Sequence, residues 1–174
     1  MFVFPSEPTK NAMTMKSNKL HFFCGVLLLF FFISFSFGQG SAPVVITLTV
    51  DASKLGNDRN DPGGCTLSAI PASVVIYDAG DPKSFTIEVE QGTDIEWEGI
   101  TTDGTPIDIK KIVRKGGTNV FNTRGIDGKP DRGRDKVKAK IMHKTAPGKD
   151  YSYKIRFNGK DFGNYRLDPK IKVR

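Results

Sequence analysis

The sequence predicts an all-β protein, a β-sandwich or barrel of about seven to nine short strands. Three observations carry this. After residue 43 apolar side chains recur with a period of two almost everywhere, and the alternating runs stop at Gly, Pro, Asp and Asn. No stretch repeats its apolar residues at the 3.6-residue period of an amphipathic helix. The chain has 174 residues, 38% of them apolar and 26% charged, which excludes a wholly disordered or collagen-like protein and leaves room for one domain.

The elements follow in order. Val44, Ile46, Leu48 and Val50 alternate with Val45, Thr47 and Thr49, so this run can bury one face. Residues 51–64 form a polar loop with Gly56, Asn57, Asn60, Pro62 and Gly63. A short apolar run over 73–77 ends at the turn signal Asp78-Ala79-Gly80-Asp81-Pro82. Phe85, Ile87 and Val89 face one way and Thr86, Glu88 and Glu90 the other; after Gln91-Gly92 the pattern returns with Ile95 and Trp97 inside and Asp94, Glu96 and Glu98 outside. Ile107, Ile109 and Val113 extend the core. Residues 114–135 are broken by glycines, and only Val120-Phe121 is expected to be anchored there. Alternation resumes with Val137, Ala139 and Ile141, then with Tyr151, Tyr153, Ile155 and Phe157 beyond the Pro147-Gly148 turn, and closes with Ile171 and Val173. Trp97, Phe85, Ile87, Ile141, Tyr153, Ile155 and Val173 are expected in one core.

The N-terminus points to export. Lys16 and Lys19 precede an apolar run over residues 22–33, and Ser36-Phe37-Gly38 supplies the small residues a signal peptidase reads. Residues 1–38 are therefore expected to be a signal segment cleaved before Gln39, with Met15 as an alternative start and residues 39–174 as a single β-sandwich domain. The alternative is an uncleaved anchor over residues 20–38, close to the ~20 residues that span a bilayer. Cys24 leaves with the signal, and Cys65 is then alone, so the mature domain has no internal disulfide and depends on its core.

A family resemblance enters on particular residues. Phe85 to Val89, the Gln91-Gly92 turn and the Trp97 strand resemble the strand, Gly turn and Trp-bearing strand of cupredoxins. Ala146-Pro147-Gly148-Lys149-Asp150-Tyr151-Ser152-Tyr153 is similar to the Pro-Gly-x-Tyr-x-Tyr strand leading into their copper loop, and Leu167-Asp168-Pro169-Lys170-Ile171-Lys172-Val173 to their last strand. The resemblance implies a Greek-key β-sandwich. Fibronectin type III and other immunoglobulin-like domains share the Pro-Gly turn before a Tyr-rich strand and are the second family. Blue-copper chemistry does not follow, because it needs two imidazoles and a thiolate. The mature chain offers only His143, Cys65 and Met142. No cofactor and no metal is expected.

Charge is the remaining signal. Residues 39–108 hold three basic side chains against 12 acidic ones, while residues 109–174 hold 20 against six. This asymmetry makes either one acidic and one basic face or acids beside bases on neighbouring strands. Lys110, Lys111, Arg114, Lys115, Arg132, Arg134, Lys136, Lys138 and Lys140 are the candidate polyanion-binding residues; the competing account is a solvated strand defended by lysines against edge pairing. Asp127, Asp131 and Asp135 could ligate calcium but lie among bases that oppose a cation. Glu88, Glu90, Asp94, Glu96 and Glu98 lie on an outward face, without the apolar setting that would raise a catalytic acid. The expectation is an exported, non-catalytic binding or structural module in the periplasm or outside the cell, with an acidic polysaccharide, lipopolysaccharide or another envelope protein as partner. Nucleic acid is disfavoured, since export removes it and the outward positions lack aromatics. The alternatives are an exported enzyme and a signal-anchored membrane protein of the same fold.

Overall fold

Alternation over residues 44–50 becomes strand β1 (Val44–Val50), whose odd and even residues separate cleanly into half-exposed and buried sets. The structure is a computed structural model and describes residues 42–174. The signal segment 1–38, the start at Met15, the cleavage before Gln39 and the anchor over 20–38 lie outside the described residues. Among the described residues no helix is long and apolar enough to cross a membrane.

The chain continues as β2 (Cys65–Ile70), β3 (Val75–Tyr77), β4 (Thr86–Val89), β5 (Asp94–Thr101), β6 (Pro106–Gly116), β7 (Gly125–Asp127), β8 (Lys129–Asp131), β9 (Arg134–Lys140), β10 (Tyr151–Gly159), β11 (Phe162–Leu167) and β12 (Lys170–Val173). These twelve strands form one mixed, nearly closed, barrel-like sheet in the order β2-β1-β5-β6-β10-β12-β4-β3, with β9 also on β5, β7 on β6, β8 on β9 and β11 on β10. Two pairs are parallel, β1 with β5 and β12 with β4. The all-β class is as the sequence predicts.

The strand count exceeds the predicted seven to nine, and the four additional strands have identifiable causes. β2 does alternate, but Cys65 and Ala69 are too small to stand out against Thr66 and Ser68. β7 and β8 are three residues each and owe their pairing to β6 and β9. β11 lies where the cupredoxin resemblance places a copper loop, and instead folds back on β10 with Arg156 opposite Arg166 and Phe157 opposite Tyr165.

A second correction concerns β6. Phe157 pairs with Ile109 but Arg156 pairs with Lys111, so a bulge at Lys110 shifts the alternation by one. Ile112, not Val113, is buried beyond it. Because side-chain direction has a period of two, this single extra residue turns Lys111 outward.

The seven predicted core residues are all buried and belong to one cluster. At its centre the indole Nε1–H of Trp97 donates to the Tyr153 hydroxyl at 3.1 Å. Phe121 and Tyr153 meet the Trp97 ring edge-on, each at 5.9 Å, and Tyr151 stacks on Tyr153 at 5.5 Å. The Trp and Pro-Gly-Tyr strands thus serve core packing. Burial pushes the Tyr153 phenol well above its ordinary value, so the hydroxyl stays protonated inside.

Candidate functional site

The basic residues fall into two groups that the sequence does not separate. On β9 they face acids of β5, because antiparallel pairing sets Asp94 opposite Lys140 and Glu96 opposite Lys138. Lys136 Nζ lies 2.6 Å from Glu96 and 2.8 Å from Glu98, Arg134 is 2.8 Å from Glu98, and Lys140 is 2.9 Å from Asp94. Lys138 bridges Glu96 and Asp131. Burial alone would raise the Glu96 carboxyl, but hydrogen bonds from Lys136 and Lys138 carry it below its ordinary value. A carboxylate held ionised in this way is the opposite of a general acid.

The aspartates of the 127–135 segment are likewise engaged by lysines. Asp127 pairs with Lys111 at 2.8 Å, Asp131 with Lys138 at 3.0 Å and Asp135 with Lys110 at 2.7 Å. They lie on three successive strands and are distributed among three cations.

The remaining candidates divide further. Lys110 also meets Asp108 at 2.8 Å, and Lys115 meets Asp168 at 2.6 Å. Arg114 sits opposite buried Tyr153, its Nη2 donates to the Gly117 carbonyl, and its Nε is buried with no hydrogen-bond partner among the described residues. Arg132 occupies the β8–β9 turn with a φ of 51°, followed by Gly133 at 83°, the two left-handed positions of a type I′ hairpin. A groove of about 600 Å³ between β7, β8 and β9 is lined by Ile126, Pro130, Lys129, Lys136 and Lys138.

The face of β6, β10 and β11 differs from the β5–β9 pair. The β6 bulge sets Lys111 opposite Arg156, and Arg156 is in turn opposite Arg166 on β11. Three cations therefore stand in a row across three adjacent strands, with Asp127 of β7 at one end. Arg156 and Arg166 are exposed and have no carboxylate partner among the described residues, nor does Lys154, one outward position further along β10. Residues 59 and 60 buttress β11: the Arg166 backbone N–H donates to the Arg59 carbonyl at 2.9 Å, and Arg166 Nη1 donates to Asn60 Oδ1 at 3.2 Å. Lys154, Arg156 and Arg166 were absent from the sequence-derived candidates. Alternation on β10 marks Lys154 and Arg156 as outward, but only the strand order places Arg166 beside them.

Burial pushes the Cys65 thiol up to about 12, and the His143 imidazole Nε2 is hydrogen-bonded to Asn122 Oδ1 while neighbouring Met142 is exposed. No three His, Cys, Asp or Glu residues converge among the described residues, so the donor set does not fit a blue-copper ion.

Fold and face together define an all-β domain with a charge-matched strand pair and a separate cationic row. In fold the chain is similar to the crystal structure of an inclusion body protein, PixA, from Burkholderia cenocepacia, with a TM-score of 0.56 and 10% identity, covering 81% of this chain and 100% of that one. No family model matches the chain, and no curated protein does. Of the cupredoxin-like expectation, the all-β class is what stands.

Proposed function

We propose that the protein is an exported, non-catalytic binding or structural module, a Greek-key β-sandwich of cupredoxin-like kind without copper, that docks an anionic partner of the cell envelope. The observation that supports it most is the unequal distribution of charge pairing: bases on β9 are matched by acids on β5, while Arg156 and Arg166 face each other without a carboxylate. Opposed like charges destabilise a sheet, and a bound anion relieves that repulsion. The ionised Glu96, the raised Cys65 thiol and the engaged His143 support a role in binding over catalysis.

The test is retention on an anionic polysaccharide resin with elution by salt, alongside mass spectrometry of the exported protein. Retention that weakens with ionic strength and an N-terminus at or near Gln39 are expected. Full-length chain resisting alkaline washing of membranes would replace export by anchoring through residues 20–38, and elution with the void volume would remove the anionic partner.

A second, structural reading draws on the ends of the sheet. β2 carries no charged residue, and Ile70, Ile76 and Tyr77 are exposed on or beside the terminal strands β2 and β3. Uncharged edges of this kind pair with other chains. Concentration-dependent sedimentation would favour assembly over ligand binding.

A further inference from the structure

We propose that Arg156 and Arg166, flanked by Lys154 on β10 and by the Asp127-paired Lys111 on β6, form a binding site for a linear polysaccharide bearing carboxylates, laid across β6, β10 and β11. This rests on the anionic-partner reading and assigns its site and ligand class. The row consists of Cα partners on adjacent strands, so its side chains are rooted at the strand spacing of ~4.8 Å, comparable to the length of one pyranose unit along a chain. A polyuronate thus presents one carboxylate to each arginine, while Lys111, already paired with Asp127 at 2.8 Å, closes the row. Arginine suits the task, because its planar fork engages a carboxylate through two parallel N–H bonds.

Two features argue against the row being ordinary solvated surface. Arg156 has a cation opposite it on both sides, whereas the outward lysines of β9 each face a carboxylate. The juxtaposition also depends on a built device, since without the β6 bulge Lys111 would point inward. A lipid surface fits less well, because the exposed large apolar side chains, Ile70, Ile76, Tyr77 and Met142, belong to other elements. Asn158 and Lys154 are the outward neighbours of Arg156 along β10, and Asp108, opposite Asn158, is held by Lys110 at 2.8 Å, so the border offers polar groups to sugar hydroxyls.

The experiment measures binding of an oligogalacturonate by calorimetry across a salt series, with dextran as the uncharged control and inorganic polyphosphate as the alternative anion. Arg156→Gln and Arg166→Gln are each expected to weaken oligogalacturonate binding about tenfold and to lower the salt slope by on the order of one. Lys138→Gln and Lys140→Gln should leave it within about twofold. Arg156→Gln should also raise the melting temperature, since it removes a like-charge contact; an arginine retained for structure would give a lower one. If the unaltered protein binds neither anion, the functional reading fails and the site with it. Binding that survives both arginine variants but is lost in the β9 variants overturns the site and leaves the reading intact. Binding of polyphosphate without oligogalacturonate, or equal binding of dextran, overturns the ligand class.

Discussion

Replacing Trp97 and Tyr153 by phenylalanine, singly and together, tests whether their hydrogen bond organises the core. Trp97 is 1% exposed and Tyr153 0%, so neither the indole N–H nor the hydroxyl can turn to water when its partner is removed. Tyr153→Phe keeps the ring and strands the Trp97 N–H, at a cost of about 1–3 kcal/mol. Trp97→Phe strands the Tyr153 hydroxyl for a similar amount. It also shrinks a side chain held by two edge-on aromatic contacts, so about 2–4 kcal/mol is expected in total. In the double variant both orphaned groups are gone. Its loss should therefore be smaller than the sum of the single losses by both penalties together, about 2–6 kcal/mol. Urea unfolding followed by far-UV circular dichroism is the assay, because Trp97 is the only tryptophan and fluorescence would vanish with it. Losses that add to within about 0.5 kcal/mol would refute the coupling and reduce the pair to packing alone.

Three further outcomes follow from local geometry. Gly117 has a φ of 72°, and a β-carbon there would lie 1.7 Å from the Asp150 carbonyl oxygen, so Gly117→Ala should cost at least about 3 kcal/mol; Gly104→Ala, at a φ of 91° in open space, should cost about 1 kcal/mol, and equal losses in thermal unfolding would contradict the clash. Because the folded Glu96 carboxyl is held below its ordinary value, its stabilising contribution is present above that value and fades as pH falls through the folded one; Lys136→Gln should flatten this acid limb of the stability–pH curve, and an unchanged limb would deny the lysine its role. Cys65, with a thiol raised to about 12 by burial, should react with a disulfide reagent only when the domain unfolds, so prompt labelling of folded protein would place it at the surface.

Legibility followed the range of the interactions. The eight apolar runs from Val44 to Val173 were readable because burying one face of a strand imposes a period of two on the strand's own residues. β2 was missed for lack of contrast, and β7 and β8 because three residues carry too little pattern of their own. Val113 was misplaced because a bulge is defined by two strands, and one strand alone does not reveal it.

By itself the sequence determined the all-β class, the central core from Phe85 to Val173 and the division into an acidic and a basic half, since all three depend on which residues are present and on short-range alternation. Only the tertiary structure decided what the charges do. Strand order set β9 against β5 and matched base to acid, while the β6 bulge and the return of β11 aligned Lys111, Arg156 and Arg166. Those residues are up to 55 positions apart in the chain, and their alignment depends on pairing register between strands, a non-local quantity that no periodicity within a single strand encodes.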